Sequence, residues 1–197
     1  MRSAVAAVVV GVMTVAAVAA VANPTREQAA AFQKKLDQIL LNSESRSERA
    51  RQTTVTEGEV NAYLHFNAGD KVPAGVTVPT IGIEGQGRLN GRAIVDLDVV
   101  RTKRSSGGWF DPMSYLTGRL PVTARGLLET HQGRGKFTLE SATVGGVPIP
   151  KSFLQEFVSY YSRSSDFPNG INIDDPFDLP AEIQKIDVIP GRANIIQ

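Results

Sequence analysis

Near Val76 the apolar residues of this 197-residue chain stop recurring at helical spacing and begin to alternate. A period of two puts apolar side chains on one face of a strand and polar ones on the other. The alternating stretches that follow are therefore expected to be strands with one wet face. Arg92 to Val100 carries the signal most clearly, with Val95, Leu97 and Val99 on one face and Asp96 and Asp98 on the other. Val76 to Ile83 is rich in β-branched residues, and Pro79 marks an edge or a bulge there. Gly85, Gly87 and Gly91 punctuate the segment from Glu84 to Gly91, and Lys103 to Gly108 reads as a turn. Leu120 to Thr130 and Lys136 to Val144 are two further strands. The Gly-containing stretch His131 to Gly135 predicts a five-residue hairpin loop between them.

Helical patterns flank this region. Thr25-Arg26-Glu27-Gln28 fits a capping box, followed by Phe32, Leu36, Ile39 and Leu40 on one stripe, which predicts a helix to about Leu41. Asn42 to Gln52 is a polar linker, and Thr53 to Val55 a short strand. Thr56-Glu57-Gly58-Glu59 is a second capping box that starts a helix through Leu64. Val147-Pro148-Ile149-Pro150 is expected to break the sheet. A helix comes next, with Phe153, Leu154, Phe157, Val158 and Tyr161 on its stripe, then a loop from Ser164 to Asp178. Glu182 to Ile189 and Arg192 to Gln197 read as short strands around Pro190-Gly191. The order gives an α+β class with a meandering antiparallel sheet in a single module.

Residues 1–22 stand apart. Arg2 is followed by an uncharged Ala- and Val-rich run from Ala4 to Ala22 that ends Ala20-Val21-Ala22. A positive start, an apolar stretch and small residues at a cleavage point are the layout of a secretory signal peptide. The run is also just long enough to serve as an N-terminal anchor. Either way, residues 23–52 (helix and linker) and 53–197 (the α+β domain) are expected outside the cytoplasm, in the periplasm or beyond the cell. The net charge of +1 argues against a nucleic-acid binder, which needs a surplus of cations. Cysteine is absent and only His65 and His131 are present, so disulfides, thiolate chemistry and a multi-His metal site are excluded. Two broad options remain: a carboxylate-based enzyme, or a protein that works through shape and apolar surface.

The candidate chemistry is thin. Asp96 and Asp98 share a predicted strand face and form a possible carboxylate pair, though a wet sheet face needs polar residues at those positions anyway. Asp174, Asp175 and Asp178, with Asn169 and Asn172, offer oxygen ligands for a hard cation. Their spacing does not match an EF-hand loop, and Asx residues beside Pro and Gly are what turns require. Gly82, Gly85, Gly87 and Gly91 do not make a phosphate loop and read as bends. No G-x-S-x-G elbow supplies a nucleophile for either histidine. Arg101, Lys103 and Arg104 form a basic cluster suited to a charged turn or to anionic lipid headgroups. Trp109, Phe110, Met113, Tyr115 and Leu116 crowd one interstrand connection, as a lid on the core or a contact with membrane or ligand. The Leu120–Thr130 face holds Val122, Ala124, Gly126 and Leu128, with small residues at its centre. Bulky helix stripes laid over small sheet residues leave either an apolar groove or a filled core.

Three segments carry a resemblance. Val55-Thr56-Glu57-Gly58-Glu59-Val60-Asn61-Ala62-Tyr63-Leu64 resembles the T-E-x-E-x-N-x-Y-L helix start of bacterial tubular lipid-binding (TULIP-like, YceB-type) envelope proteins. Val147 to Leu154 is similar to their proline-led approach to a second helix. Leu179-Pro180-Ala181-Glu182-Ile183, then Ile186, Val188 and Gly191, resembles their closing strands. The resemblance implies a highly curved antiparallel sheet wrapped around a long helix, an apolar lumen holding lipid, and no catalytic residues or cofactor. Unlike the lipoprotein members, this chain has no Cys to carry a lipid.

The expectation is an exported, non-enzymatic protein that sequesters a lipid or other apolar ligand, in possible contact with a membrane surface. The helices would contribute Val60, Leu64, Phe153, Phe157 and Tyr161. The sheet would contribute Val95, Leu97, Val122, Ala124, Gly126 and Leu128. The alternatives are an envelope assembly protein with a filled core acting by protein–protein contact, and a hydrolase using Asp96, Asp98 or the Asp174–Asp178 loop.

Overall fold

The computed structural model of the chain describes residues 23–45, 49–69, 72–96, 98–99, 118–163 and 167–197, without the side chains of Phe157, Tyr160 and Tyr161. The expected signal or anchor at residues 1–22 lies outside the described residues. So do Leu97, the Arg101, Lys103 and Arg104 cluster, the Lys103–Gly108 turn, and the lid residues Trp109, Phe110, Met113, Tyr115 and Leu116.

Both capping boxes form. Helix α1 spans Arg26–Glu44, past the expected end at Leu41, and Thr25 and Gln28 bond reciprocally at its start. Helix α2 spans Glu57–Phe66 and opens in the same way on Thr56 and Glu59. Strand β1, Gln52–Thr56, runs directly into that cap. The two helices pack together through the Phe32 and Tyr63 rings, 5.1 Å apart, and through Lys35 Nζ, 2.7 Å from the Glu59 carboxylate.

The alternating region folds into an antiparallel six-stranded sheet. Strands β2 (Val76–Gly85), β3 (Arg88–Asp96), β4 (Arg119–His131) and β5 (Arg134–Val144) are successive neighbours. Two short strands, β6 (Val147–Pro148) and β7 (Phe177–Asp178), pair with the outer edge of β5 at its two ends. The expected five-residue loop at His131–Gly135 is corrected to a two-residue turn, Gln132-Gly133, and Gln86-Gly87 does the same between β2 and β3. Both turns place two successive residues at positive φ (49° and 78°, 54° and 79°), the primed geometry whose twist matches that of the flanking strands. Strand β3 stops at Asp96, short of the expected Val100, because Asp96 Oδ1 accepts the N–H groups of Asp98 and Val99 and turns the chain. Val147 and Pro148 extend the sheet before it breaks.

The sheet is open and uncurled, which corrects the expectation of strong curvature. Sheets bend at bulges; register shifts occur in the flanking ladders, at Thr77/Thr80, Ile83/Gly85 and Arg125/Gly126, but the central β3–β4 ladder pairs without one from Arg88 to Asp96. Nor does the longest helix sit inside it. Helix α1 packs on α2, on β1 and, through Ile39, on Leu179 and Ile183. A second, three-stranded sheet has the order β1, β9 (Arg192–Ile196), β8 (Lys185–Ile189). It clasps the turn end of the large sheet, where Gly87 N–H donates to the Val188 carbonyl and Gly133 N–H to that of Gln184. The last helix, α3 (Lys151–Tyr161), lies against β5.

The large sheet has the expected two faces. One carries Arg88, Asn90, Arg92 and Arg125, and there Glu84 accepts from Arg125 Nε and Asn90 Nδ2, both at 2.9 Å. Those bonds, Arg125's first, hold the Glu84 carboxyl below its usual range. The other face is apolar. At one end of it Val95 and Val144 are buried among Val76, Leu120, Val122, Ile149 and Phe153.

Candidate functional site

At the opposite end of the apolar face the packing opens into a groove of about 900 Å³. The sheet supplies the floor: Ala124 from β4, and Phe137 and Leu139 from β5. Ala124 contributes only a methyl group, so the floor is low there. The alternation Lys136, Phe137, Thr138, Leu139 turns both large apolar residues of β5 to the same side. One wall is α3, through Leu154 and Val158, which sit four positions apart and so on one helix face. The other wall is the 167–178 loop, through Phe167, Ile171, Ile173, Pro176 and Phe177, with Asn172, Asp175 and Asp178 at the margin.

The loop is strapped to α3 by polar contacts. Gln155 Nε2 donates to the Ile171 carbonyl at 3.0 Å, and the Ile173 N–H donates back to Gln155 Oε1 at 2.7 Å. Ser159 Oγ also donates to the Ile171 carbonyl, and Ser162 Oγ accepts the Ile171 N–H. Gly170, at φ 77°, permits this approach, since a Cβ there would collide with the Ser159 carbonyl. Lys151 and Asp174 form an ion pair across the same seam. At the far end the loop is tied to the sheet by β7, where the Phe177 ring lies on Gly135.

The structure separates the residues expected to line a ligand site. Ala124 lines the groove. Val95, Val122 and Phe153 belong to the packed cluster at the filled end. Gly126 is covered by the protein itself, because a Cβ there would strike the Phe137 ring and the Thr138 carbonyl. Leu128 pairs opposite Phe137 and is half-buried outside the groove lining. Val60 and Leu64 are half-buried on α2, whose packing partners are α1, β1 and β2. Leu97 and the side chains of Phe157 and Tyr161 lie outside the described residues. Sequence reasoning left out Phe137 and Leu139, although their alternation was legible. It also passed over the loop residues, because Asn, Asp, Pro and Gly around them read as turn.

The polar candidates serve local structure. Asp96 caps the end of β3, and Asp98 Oδ2 accepts the Gly118 N–H, so the two do not share a strand face. Asp174 N–H donates to Asn172 Oδ1, and Asn172 Nδ2 donates to Asp175 Oδ1, the bonding of an Asx turn. Asp178 lies 3.7 Å from Arg134 Nε. Among the described residues no three His, Asp or Glu side chains come together as metal ligands. His65 stacks edge-on against Phe66, and His131 is exposed at the end of β4. No described helix is long and apolar enough to cross a membrane. In comparisons with known proteins, the sequence matches no protein-family model and no curated protein.

Proposed function

We propose that this protein is an exported, non-enzymatic binder of an acyl chain or similar apolar ligand, held between the β4–β5 floor and the α3–loop walls. The groove carries the reading: an apolar space of about 900 Å³, within the size range of small-molecule sites. Each methylene moved there from water contributes about 0.8 kcal/mol, so a ten-carbon stretch gains about 8 kcal/mol before ordering costs. The resemblance to tubular lipid-binding envelope proteins points the same way. Of the sheet wrapped around a helix that it implies, the counterpart in this reading is α3 held over β5. Residues 1–22 act in this reading as the export signal or anchor.

Native mass spectrometry of the full chain, purified from its own envelope, tests the proposal. The expected result is a discrete mass excess of lipid size that disappears on extraction with organic solvent. A protein of bare mass that also takes up no fatty acid from solution sinks it. A second reading, an envelope assembly protein with a filled core, is favoured by one observation: Val95, Val122 and Phe153, expected to line the lumen, are packed together with Val144. That reading predicts the bare mass.

A further inference from the structure

We propose that the open side of the groove is a docking surface for a zwitterionic lipid bilayer, entered by Phe167, Ile171 and Phe177. The proposal rests on the acyl-binding reading of the groove but concerns a separate matter, the place where the loaded protein meets its source of ligand.

Phe167, Ile171 and Phe177 are 52%, 44% and 43% exposed. Other exposed large apolar residues among those described stand alone or as the Leu40–Leu41 pair, whereas this loop carries three. All three also line the groove, so they belong both to its interior and to its outer lip. Contiguous exposed apolar surface of this kind marks a contact site.

The loop's backbone is fixed by its own bonding. The Ile171 N–H and carbonyl are held by Ser162, Gln155 and Ser159, the Ile173 N–H by Gln155, and the Gly170 N–H by the Phe167 carbonyl. Those contacts hold the lip's backbone in place beside α3. The same bonds decide the kind of partner. A peptide strand would need a row of free backbone donors, and the N–H groups of Gly170, Ile171, Ile173, Asp174 and Asp175 are already engaged within this unit. What remains to offer is apolar side chain, which suits a fluid apolar phase.

Charge selects the headgroup. Asp174 is paired with Lys151, Asp178 lies 3.7 Å from Arg134, and Asp175 accepts only an amide hydrogen bond from Asn172 among its described contacts. The rim is therefore slightly acidic. It gives no attraction to anionic headgroups and tolerates zwitterionic ones.

The absence of cysteine gives a clean test, because one introduced thiol can carry a fluorophore in the full chain. Phe167→Cys and Ile171→Cys are labelled separately, and Leu41→Cys, an exposed apolar position off the lip, is the control. Phosphatidylcholine vesicles with brominated acyl chains should quench the label at 167 and 171 and spare it at 41. Raising salt to about 0.5 M should leave the quenching unchanged, because no ion pair drives it. No quenching at either lip position overturns the docking surface. So does equal quenching at 41, or a response confined to anionic vesicles and lost in salt. A lipid-loaded protein whose lip is not quenched ends the docking surface alone. A quenched lip on a protein that carries no lipid ends the groove reading alone.

Discussion

Asn61 turns both ends of its carboxamide to strand β2. Its Nδ2 donates to the Ile81 carbonyl at 2.8 Å and its Oδ1 accepts the Ile81 N–H at 2.7 Å. Glu57 accepts the Ile83 N–H two residues on, also at 2.7 Å. Together these side chains occupy an edge that would otherwise present unpaired backbone. Removing the amide leaves a donor and an acceptor without partners, so Asn61→Ala should cost about 2 kcal/mol. The urea midpoint should fall with an unchanged m-value, and Asn61→Asp, which keeps only the acceptor, should lie between. A wild-type midpoint for Asn61→Ala removes the edge-capping role.

Glu59 works in two directions at once. Burial pushes its carboxyl pKa up, but hydrogen bonds from Lys35 and from the Thr56 N–H and hydroxyl outweigh that and hold it below 4.5. A carboxyl whose pKa is lowered in the folded state adds stability above its unfolded pKa. That contribution is lost as pH falls from about 4.5 through the folded value. Glu59→Gln should therefore lower stability by about 1–2 kcal/mol at pH 7 and flatten the loss below pH 4.5. Parallel stability–pH curves for the two proteins would contradict this.

At the scale of elements, α3 and the 167–178 loop behave as one wall. They bond to each other through Gln155, Ser159 and Ser162, and are held to the sheet by β6, β7 and the packing of Phe153. Gln155→Ala removes the bonds to both Ile171 and Ile173. Hydrogen exchange at the Ile173 amide should speed up about tenfold or more, corresponding to about 1.4 kcal/mol, while the β3 and β4 amides stay protected. Uniform acceleration across the sheet would mean that the wall is not a separate unit. The elements themselves were largely legible in the sequence. Two capping boxes announced α1 and α2, and alternation announced β3, β4 and β5. The errors fell where a side chain redirected the backbone, as Asp96 does at the end of β3, or where a turn needed fewer residues than its glycines implied.

At the scale of the molecule, the apolar face is divided between a filled end and an open one. If the open end holds an acyl chain, affinity should rise about fourfold per added methylene, the equivalent of about 0.8 kcal/mol, until the chain outgrows the groove. A fatty-acid series measured by calorimetry checks this, and a flat series argues for the filled scaffold. The chain alone determined which residues face away from water, because period two and period 3.6 are properties of neighbours along the sequence. It also determined the helix starts, since a capping box closes within four residues. Only the tertiary structure decided which apolar residues meet each other and which meet empty space. Val122 and Ala124 sit two apart on one strand face, yet one is packed under Phe153's cluster and the other floors the groove. That difference comes from α3 and the 167–178 loop, which return from about 30 to 55 residues away to cover one end more tightly than the other. No local pattern encodes how closely two distant surfaces will fit.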